Sequence, residues 1–536
     1  MSDERTMRFL PVSDQSMLVE LQDLEHTLDL LAALQAELPA GVQELVPAAR
    51  TILIAFDRWQ TSAADLQRHM AALQLGRQAR SAGQRVEIAV HYDGEDLADV
   101  AQILGIDVPE LIRRHSGSDY SVAFCGFAPG FAYLTGGDPS LNVPRRSTPR
   151  TKVPAGSVAI AGTFSAVYPN DTPGGWQLLG RTDVPMWDLL RNPPALLQPG
   201  MLVRFVDAST AAGQALLQQQ SAVQAPAPAA AEHTGAGMRV RATGLQTLVQ
   251  DAGRAGQAGQ GVSAAGALDQ GAMRRANRLV GNDARLSVLE SVAAGLQLQS
   301  LGATVVAVTG ATGPLTVRSA SGAAWQAARN AAIALNDGDV LQLGEPDSGV
   351  RSYVAVRGGW LVEPVLGSTS TDTLARIGPA ALATGQTLAV GDARDAAAVE
   401  DADLNPPALP KAGETVVLDV VMGPRTDWFT PEAVALFAAQ RWQVTPQSNR
   451  VGLRLAGEAA LVRSQTQELP SEGTALGAIQ VPASGQPVLF LADHPLTGGY
   501  PVIACIASYH LDLAAQVPVG GWLQFRPLAP FADLVG

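Results

Sequence analysis

The sequence is short of cysteine, lysine, aromatic residues and long apolar runs, and each shortage closes off a class of protein. Two cysteines, Cys125 and Cys505, permit neither a disulfide framework nor metal-ligand spacing. No run approaches the roughly 20 apolar residues that span a bilayer. The charged start MSDERTMRFL fits the expectation of a soluble, cytoplasmic protein. A formal net charge of −13 argues against nucleic acid or an acidic membrane as partner. Familiar catalytic signatures are missing as well. There is no G-x-x-x-x-G-K-[ST] loop to cradle a nucleotide. There is no G-x-S-x-G elbow, and neither of the two lysines, Lys152 and Lys411, stands in a Ser-Ser-Lys setting. Seven histidines show no H-x-x-x-H pairing, so no metal site is expected. No Met-Lys-Met occurs, which leaves no lysine for covalent biotin. Cys125 has no histidine beside it in a recognised signature and reads as a buried thiol.

Glycine and proline, by contrast, are plentiful at 53 and 35 residues, which suits a turn-rich β protein. A chain of 536 residues is long enough for three or four domains with large cores. The densest punctuation runs from Phe124 to Thr182. There Pro129-Gly130 breaks an aromatic run, and Pro144, Pro149 and Pro154 space out Arg145, Arg146, Arg150 and Lys152. Proline fixes φ and removes a donor, so this basic segment reads as a stiff, extended loop. Cations held that way lose little freedom when they bind an anion. A basic loop in an acidic protein points to a small anionic ligand; the plain alternative is a solvated surface loop.

Taken in order, residues 1–90 read as a small α+β unit. VSDQSMLVEL is strand-like, Leu24 to Leu38 has helical spacing, and TILIAF (51–56) is a buried strand. Ser62 and Asp65 form a capping box for a helix. VEIAVHY closes the unit, and EDLADVAQILG is a helix stopped by Gly105. Residues 91–210 change to short β runs between Gly/Pro turns, the grammar of a barrel or sandwich. The Ala-, Gln- and Pro-biased segment 211–237 reads as a linker. Beyond it, residues 238–390 form a first lobe, 391–413 an acidic inter-lobe segment and 414–536 a second lobe. Asp269 opens a helix with Ala272, Met273, Ala276 and Leu279 on one face, ended by Gly281. The glycine-rich stretch before it feeds a helix N-terminus suited to anions. GSVAIAG followed by TPGGW loosely parallels GTALGAIQVP followed by LTGGY, which hints at repeated barrels.

These residues resemble a specific pair of families. GFAPGFAYL, PRRSTPRTKVPAGSVAIAG, TPGGWQLLGRT and HYDGEDLADVA look like the B subunit of 5-oxoprolinase, also called allophanate hydrolase subunit 1. QDAGRAGQAGQGVSAAGALDQGAMRRANRLVGN, RGG (357–359), SNRVGLRL and GAIQVP…LTGGYP look like the C subunit of 5-oxoprolinase, a biotin-dependent carboxyltransferase-like family. The chain thus resembles a natural fusion of B and C. Both modules also resemble the carboxyltransferase region of urea carboxylase, and a bacterial pair that controls a sporulation kinase.

The resemblance implies a mainly β protein: cyclophilin-like barrel lobes, one in the B half and two in the C half, after the small N-terminal α+β domain. It implies ATP-dependent cleavage of 5-oxo-L-proline to glutamate with a separate third subunit and, with ATP, Mg²⁺. It leaves open a biotin-dependent urea or amide carboxylase component, a regulator of a histidine kinase, and a homo-oligomer. A lactam resists hydrolysis, and phosphorylating its amide oxygen would create a leaving group, which calls for cations around phosphate and a clamp for carboxylate. Arg150, Lys152, Asp493 and His494 are the catalytic candidates, although the family usually carries another polar residue where His494 stands. Arg145, Arg146, Arg254, Asp269, Asn277, Arg450, Thr497, Gly498 and Tyr500 are the candidates for substrate or phosphate binding. The amidase residues that the older name would need are absent.

Overall fold

The computed structural model describes residues 7–73, 84–221 and 237–534. The chain is mainly β. Its N-terminal unit is an antiparallel sheet in the order Arg8–Ser13, Ser16–Glu20, Thr51–Phe56, Val42–Pro47. VSDQSMLVEL is therefore a hairpin and not one strand, because the chain turns at Asp14 and Gln15. Helices Leu24–Ala36 and Ala63–Ala72 accompany the sheet, each started by a side-chain cap, from Asp23 and Ser62 respectively.

TILIAF is apolar throughout because both faces of this sheet are covered. Met17, Val19, Ile52 and Ile54 pack with the helix residues Leu30, Leu34 and Leu66. Leu10, Leu18 and Leu53 alternate to the other side and pack on Phe490, Val502 and Cys505, near the far end of the chain. The first and last thirds of the sequence thus share one core.

The next sheet has seven strands, running Gln177–Arg181, Ser157–Ala161, Phe164–Val167, Ala132–Thr135, Asp119–Cys125, Leu202–Asp207, Arg85–Val90. The sequence pattern assigns the strand at 85–90 to the N-terminal unit; it instead pairs in parallel with Leu202–Asp207. Helix Val108–Gly117, not foreseen from the sequence, is capped by Asp107 and carries Pro109 in its first turn. The expected linker, 211–237, begins and ends in regular structure. Ala211–Ser221 is a helix, 222–236 lie outside the described residues, and Gly237 already begins a strand.

In the second half, a six-stranded and a five-stranded sheet share a core around Val240, Leu298, Val306 and Leu341. Helix Gln270–Leu279 packs on this lobe through Ala272, Met273, Ala276 and Leu279, and Gly281 follows it at φ 76°. The last lobe is a closed barrel of Thr415–Met422, Val502–Ile506, Ala478–Gln480, Val488–Phe490, Gly452–Ala456, Trp442–Val444 and Trp522–Pro527. Its first and last strands pair in parallel, the same device that joins 85–90 to 202–207.

Candidate functional site

The motif stretches of the two halves meet at one junction. Phe127, held at φ 65°, donates its N–H to Thr497 Oγ1 at 3.0 Å, and Gly130 N–H donates to the Gln260 carbonyl at 2.9 Å. A Cβ on Gly126 would lie 2.7 Å from Thr497 Oγ1, and one on Gly261 would lie 2.5 Å from the Ala128 carbonyl oxygen. The glycines are there because backbone must approach this closely. Thr497 and Gly498 form a two-residue ladder with Glu472 and Gly473.

Each cation of the basic segment has a carboxylate of its own chain as partner. Arg146 and Arg150 donate to Asp96 at 2.5 and 2.8 Å, and Arg150 also donates to Glu95. Asp96 is buried and accepts the Leu178 N–H at 2.7 Å. Burial pushes its carboxyl up, but the bonds from Arg150 and Leu178 outweigh that and hold it below the ordinary value. Lys152, well exposed, pairs with Asp171 at 2.8 Å. Arg145 reaches across the junction to Glu468 at 2.8 Å. Arg150–Val153 is a short strand paired with Thr172–Gly174, so the stiffness of this segment comes from a ladder as well as from proline.

Beside Arg145 opens a cavity of about 460 Å³ lined by Tyr133, Phe164 and Trp176, with Asn142 from the B half and Glu468, Pro470 and Ser471 from the C half. Trp176 stands edge-on to Tyr133, with ring centroids 5.6 Å apart. Neither half alone would enclose this space.

The C-half candidates are placed differently. Arg450 is buried and donates to Asp493 through Nε and Nη2, at 3.1 and 2.9 Å, to Glu290, and to the Gly266 carbonyl at 2.6 Å. Burial disfavours its charge, but Asp493 and Glu290 raise its pKa well above the ordinary value. Asp493 further accepts the Thr373 N–H and hydroxyl at 2.8 and 2.6 Å. Glu290 continues to Tyr353, whose hydroxyl accepts the Asp269 N–H. Asp269 caps its helix through Ala272 and accepts from Gln516.

The helix N-terminus read as an anion site is already filled: Asp512 takes the Gln270 and Gly271 N–H groups at 2.9 and 3.0 Å. Arg254 is buried and donates to the Ser370 carbonyl, while its Nε and Nη1 meet no partner; burial lowers its pKa. Asn277, in the last turn of that helix, bonds to the loop that follows, donating to the Leu286 carbonyl and accepting from Asn282. His494 lies stacked on Phe490 with Nδ1 against its neighbour's carbonyl, and burial lowers its pKa. Tyr500 is exposed under the Arg463 guanidinium.

The structure therefore brings Arg145, Thr497 and Gly498 to the junction and holds Arg450, Asp493 and Asp269 inside the lobe contact. Reading by residue type passed over Tyr133 and Trp176, although both stand in the quoted motifs. Glu468 carried no signal at all.

Two carboxyltransferase-domain family matches cover most of the chain: subdomain A and B over residues 260–527, and subdomain C and D over 7–197. The chain is 36% identical over 288 residues to the C subunit of Escherichia coli 5-oxoprolinase, covering 54% of this chain and 90% of that protein. It is 48% identical over 124 residues to the B subunit of Bacillus subtilis 5-oxoprolinase, covering 23% of this chain and about half, 52%, of that one. Urea amidolyase of Saccharomyces cerevisiae is 32% identical over 310 residues, 53% of this chain but 16% of that protein. The crystal structure of TTHA0988 superposes with a TM-score of 0.80 at 31% identity, covering 96% of this chain and 99% of that one.

Proposed function

We propose that this chain, which belongs to the carboxyltransferase-domain family and joins a B-like half to a C-like half, is the fused B and C component of an ATP-dependent 5-oxoprolinase. In this reading it cleaves 5-oxo-L-proline to L-glutamate together with a separate third subunit. The observation that carries the reading is the interlock of the two motif sets. The FAPG loop of the B half closes on Gln260 and Thr497 of the C half, so one substrate site would need both.

Two arrangements that could hold ATP or Mg²⁺ are not offered by the described residues. The helix N-terminus is closed by Asp512, and no group of three or more Asp, Glu, His or Cys side chains among them is arranged to hold a metal. No step on this chain is routed through the nucleotide, which the proposal leaves to the third subunit. The chain's own residues bind and enclose a small anion. Arg145, Arg146 and Lys152 are the cationic candidates most open to solvent, and Arg146 is already held by the buried Asp96, while Arg450 and Asp493 hold the lobes in register.

The test is glutamate release from 5-oxoproline with ATP. The chain alone should be inactive, and adding the third subunit should restore turnover that avidin does not inhibit. Robust activity of the isolated chain, or inhibition by avidin, would overturn the proposal. The match to urea amidolyase favours the second reading, a biotin-dependent carboxyltransferase component, and avidin sensitivity is its signature.

A further inference from the structure

The cavity beside Arg145 has the make-up of a small-molecule site. Its volume of about 460 Å³ lies within the range of ligand pockets, which are mostly apolar with a few convergent polar groups. Three aromatic side chains, Tyr133, Phe164 and Trp176, line it. Among its lining residues Arg145 is the only cation and Glu468 the only anion, and these two are bonded to each other at 2.8 Å.

We infer that this cavity binds a small carboxylate carrying a flat ring, with the ligand's carboxylate on Arg145 in the place that Glu468 now holds and its ring against the wall that Tyr133, Phe164 and Trp176 form together. Glu468 is a stand-in from the chain itself. Its side chain is 59% exposed, so the pair is surface-like and easily exchanged for a better-seated carboxylate. The displaced side chain has somewhere to go. Glu468, Pro470 and Ser471 also line a second cavity of about 370 Å³, where Arg8, Arg50 and Arg425 are already paired with Glu20, Asp427 and Glu472 and which offers the side chain space but no unpaired cation. The strip 468–471 thus stands between two cavities, and Glu468 borders both. Asn142, on the same cavity wall, offers a donor and an acceptor for an amide in the ring. The identity of the ligand as 5-oxo-L-proline rests on the function proposed above; the ring-and-carboxylate class rests on the cavity.

Binding to the full chain, without a third subunit, is measured by calorimetry and by tryptophan fluorescence, with 5-oxo-L-proline and pyrrole-2-carboxylate as probes. The expected result is saturable binding of 5-oxoproline with a fluorescence change that Trp176→Phe abolishes. Arg145→Met should weaken binding about tenfold or more, as loss of a charge-assisted hydrogen bond does, and Arg145→Lys should restore part of it. Glu468→Gln should tighten binding by up to about fivefold, the most that a surface ion pair opposes. No binding of either probe, or binding indifferent to both Arg145→Met and Trp176→Phe, overturns the inference. Pyrrole-2-carboxylate bound with the same Arg145 dependence, while 5-oxoproline is neither bound nor turned over, keeps the site and sinks the substrate. Turnover with an unchanged KM in Arg145→Met keeps the substrate and sinks the site.

Discussion

Arg145 with Glu468 and Arg450 with Asp493 are arginine–carboxylate pairs of nearly the same length, 2.8 and 2.9 Å. Their surroundings differ completely. In the first the two side chains are 33% and 59% exposed; in the second they are 2% and 0% exposed. Water screens the first pair and its partners can change, so it suits a place where a ligand arrives. The second pair is closed off and completed by Glu290, Gly266 and Thr373, so either charge left alone would have no solvent to turn to. Arg150 with Asp96 lies between the two, since the acid is buried while the arginine side chain remains 16% exposed. Bond length is no guide to what these pairs do. Burial separates a scaffold from a binding group.

The largest effect is expected where the pair is most deeply buried. Arg450→Met should destabilise the second half by about 3–5 kcal/mol in a denaturant titration, because it strands Asp493 and Glu290 without their cation. The double variant Arg450→Met with Asp493→Leu should recover part of that loss. If the double variant is as damaged as the sum of the single ones, the charges are not acting as a unit.

Arg150→Met should cost about 1–2 kcal/mol, because Asp96 keeps Arg146 and the Leu178 N–H when Arg150 is lost. A loss as large as that of Arg450→Met would erase the distinction between the two halves.

Acid titration separates Asp269 from Asp96 by sign. Asp269, at the lobe contact, is pushed up to about 6, first by burial and then by the nearby Asp512. Between the ordinary value of 3.8 and about 6 the folded state therefore holds more protons than the unfolded one. Stability from this group should fall as pH rises through that window, with a slope of up to about 1.4 kcal/mol per pH unit. Asp96 in the B half is depressed below 3.8, so its contribution is complete above that value and is lost only on further acidification. Asp269→Asn should reduce the first slope, leaving the part carried by Asp372, which burial and Asp493 also push up to about 6, and should leave the acid limb alone. An unchanged slope would mean that Asp269 titrates normally.

The smallest effect belongs to Lys152→Met. Its pair with Asp171 is solvated on both sides, so the melting temperature should stay where it is. A measurable drop would show that this end of the segment is structural after all. A loss of kcat/KM with intact stability would place Lys152 beside Arg145 in binding substrate.

Much of this molecule is determined locally. Ser62 and Asp269 start helices because their side chains reach the third N–H of the turn, and Gly105 and Gly281 follow helix ends with positive φ. The alternation of glycine turns with short apolar runs makes the chain mainly β, and the spaced prolines stiffen Arg145 to Lys152, although the segment bends at Ser147 and Thr148 before the strand at Arg150. The motif residues identify both halves. What the sequence could not determine is which partner each charge would find. Glu468 lies in QTQELPS, a stretch without apolar period or motif, and only the docking of the second half brings it to Arg145. Asp512 and Asp269 converge on one helix start from different lobes. The strand at 85–90 left its expected sheet because its open ladder is filled by a strand more than 100 residues further on. A charged side chain has the same chemistry wherever it stands along the chain. Its strength, its pKa and its freedom to exchange partners depend on how much water remains around it, and packing of distant segments decides that.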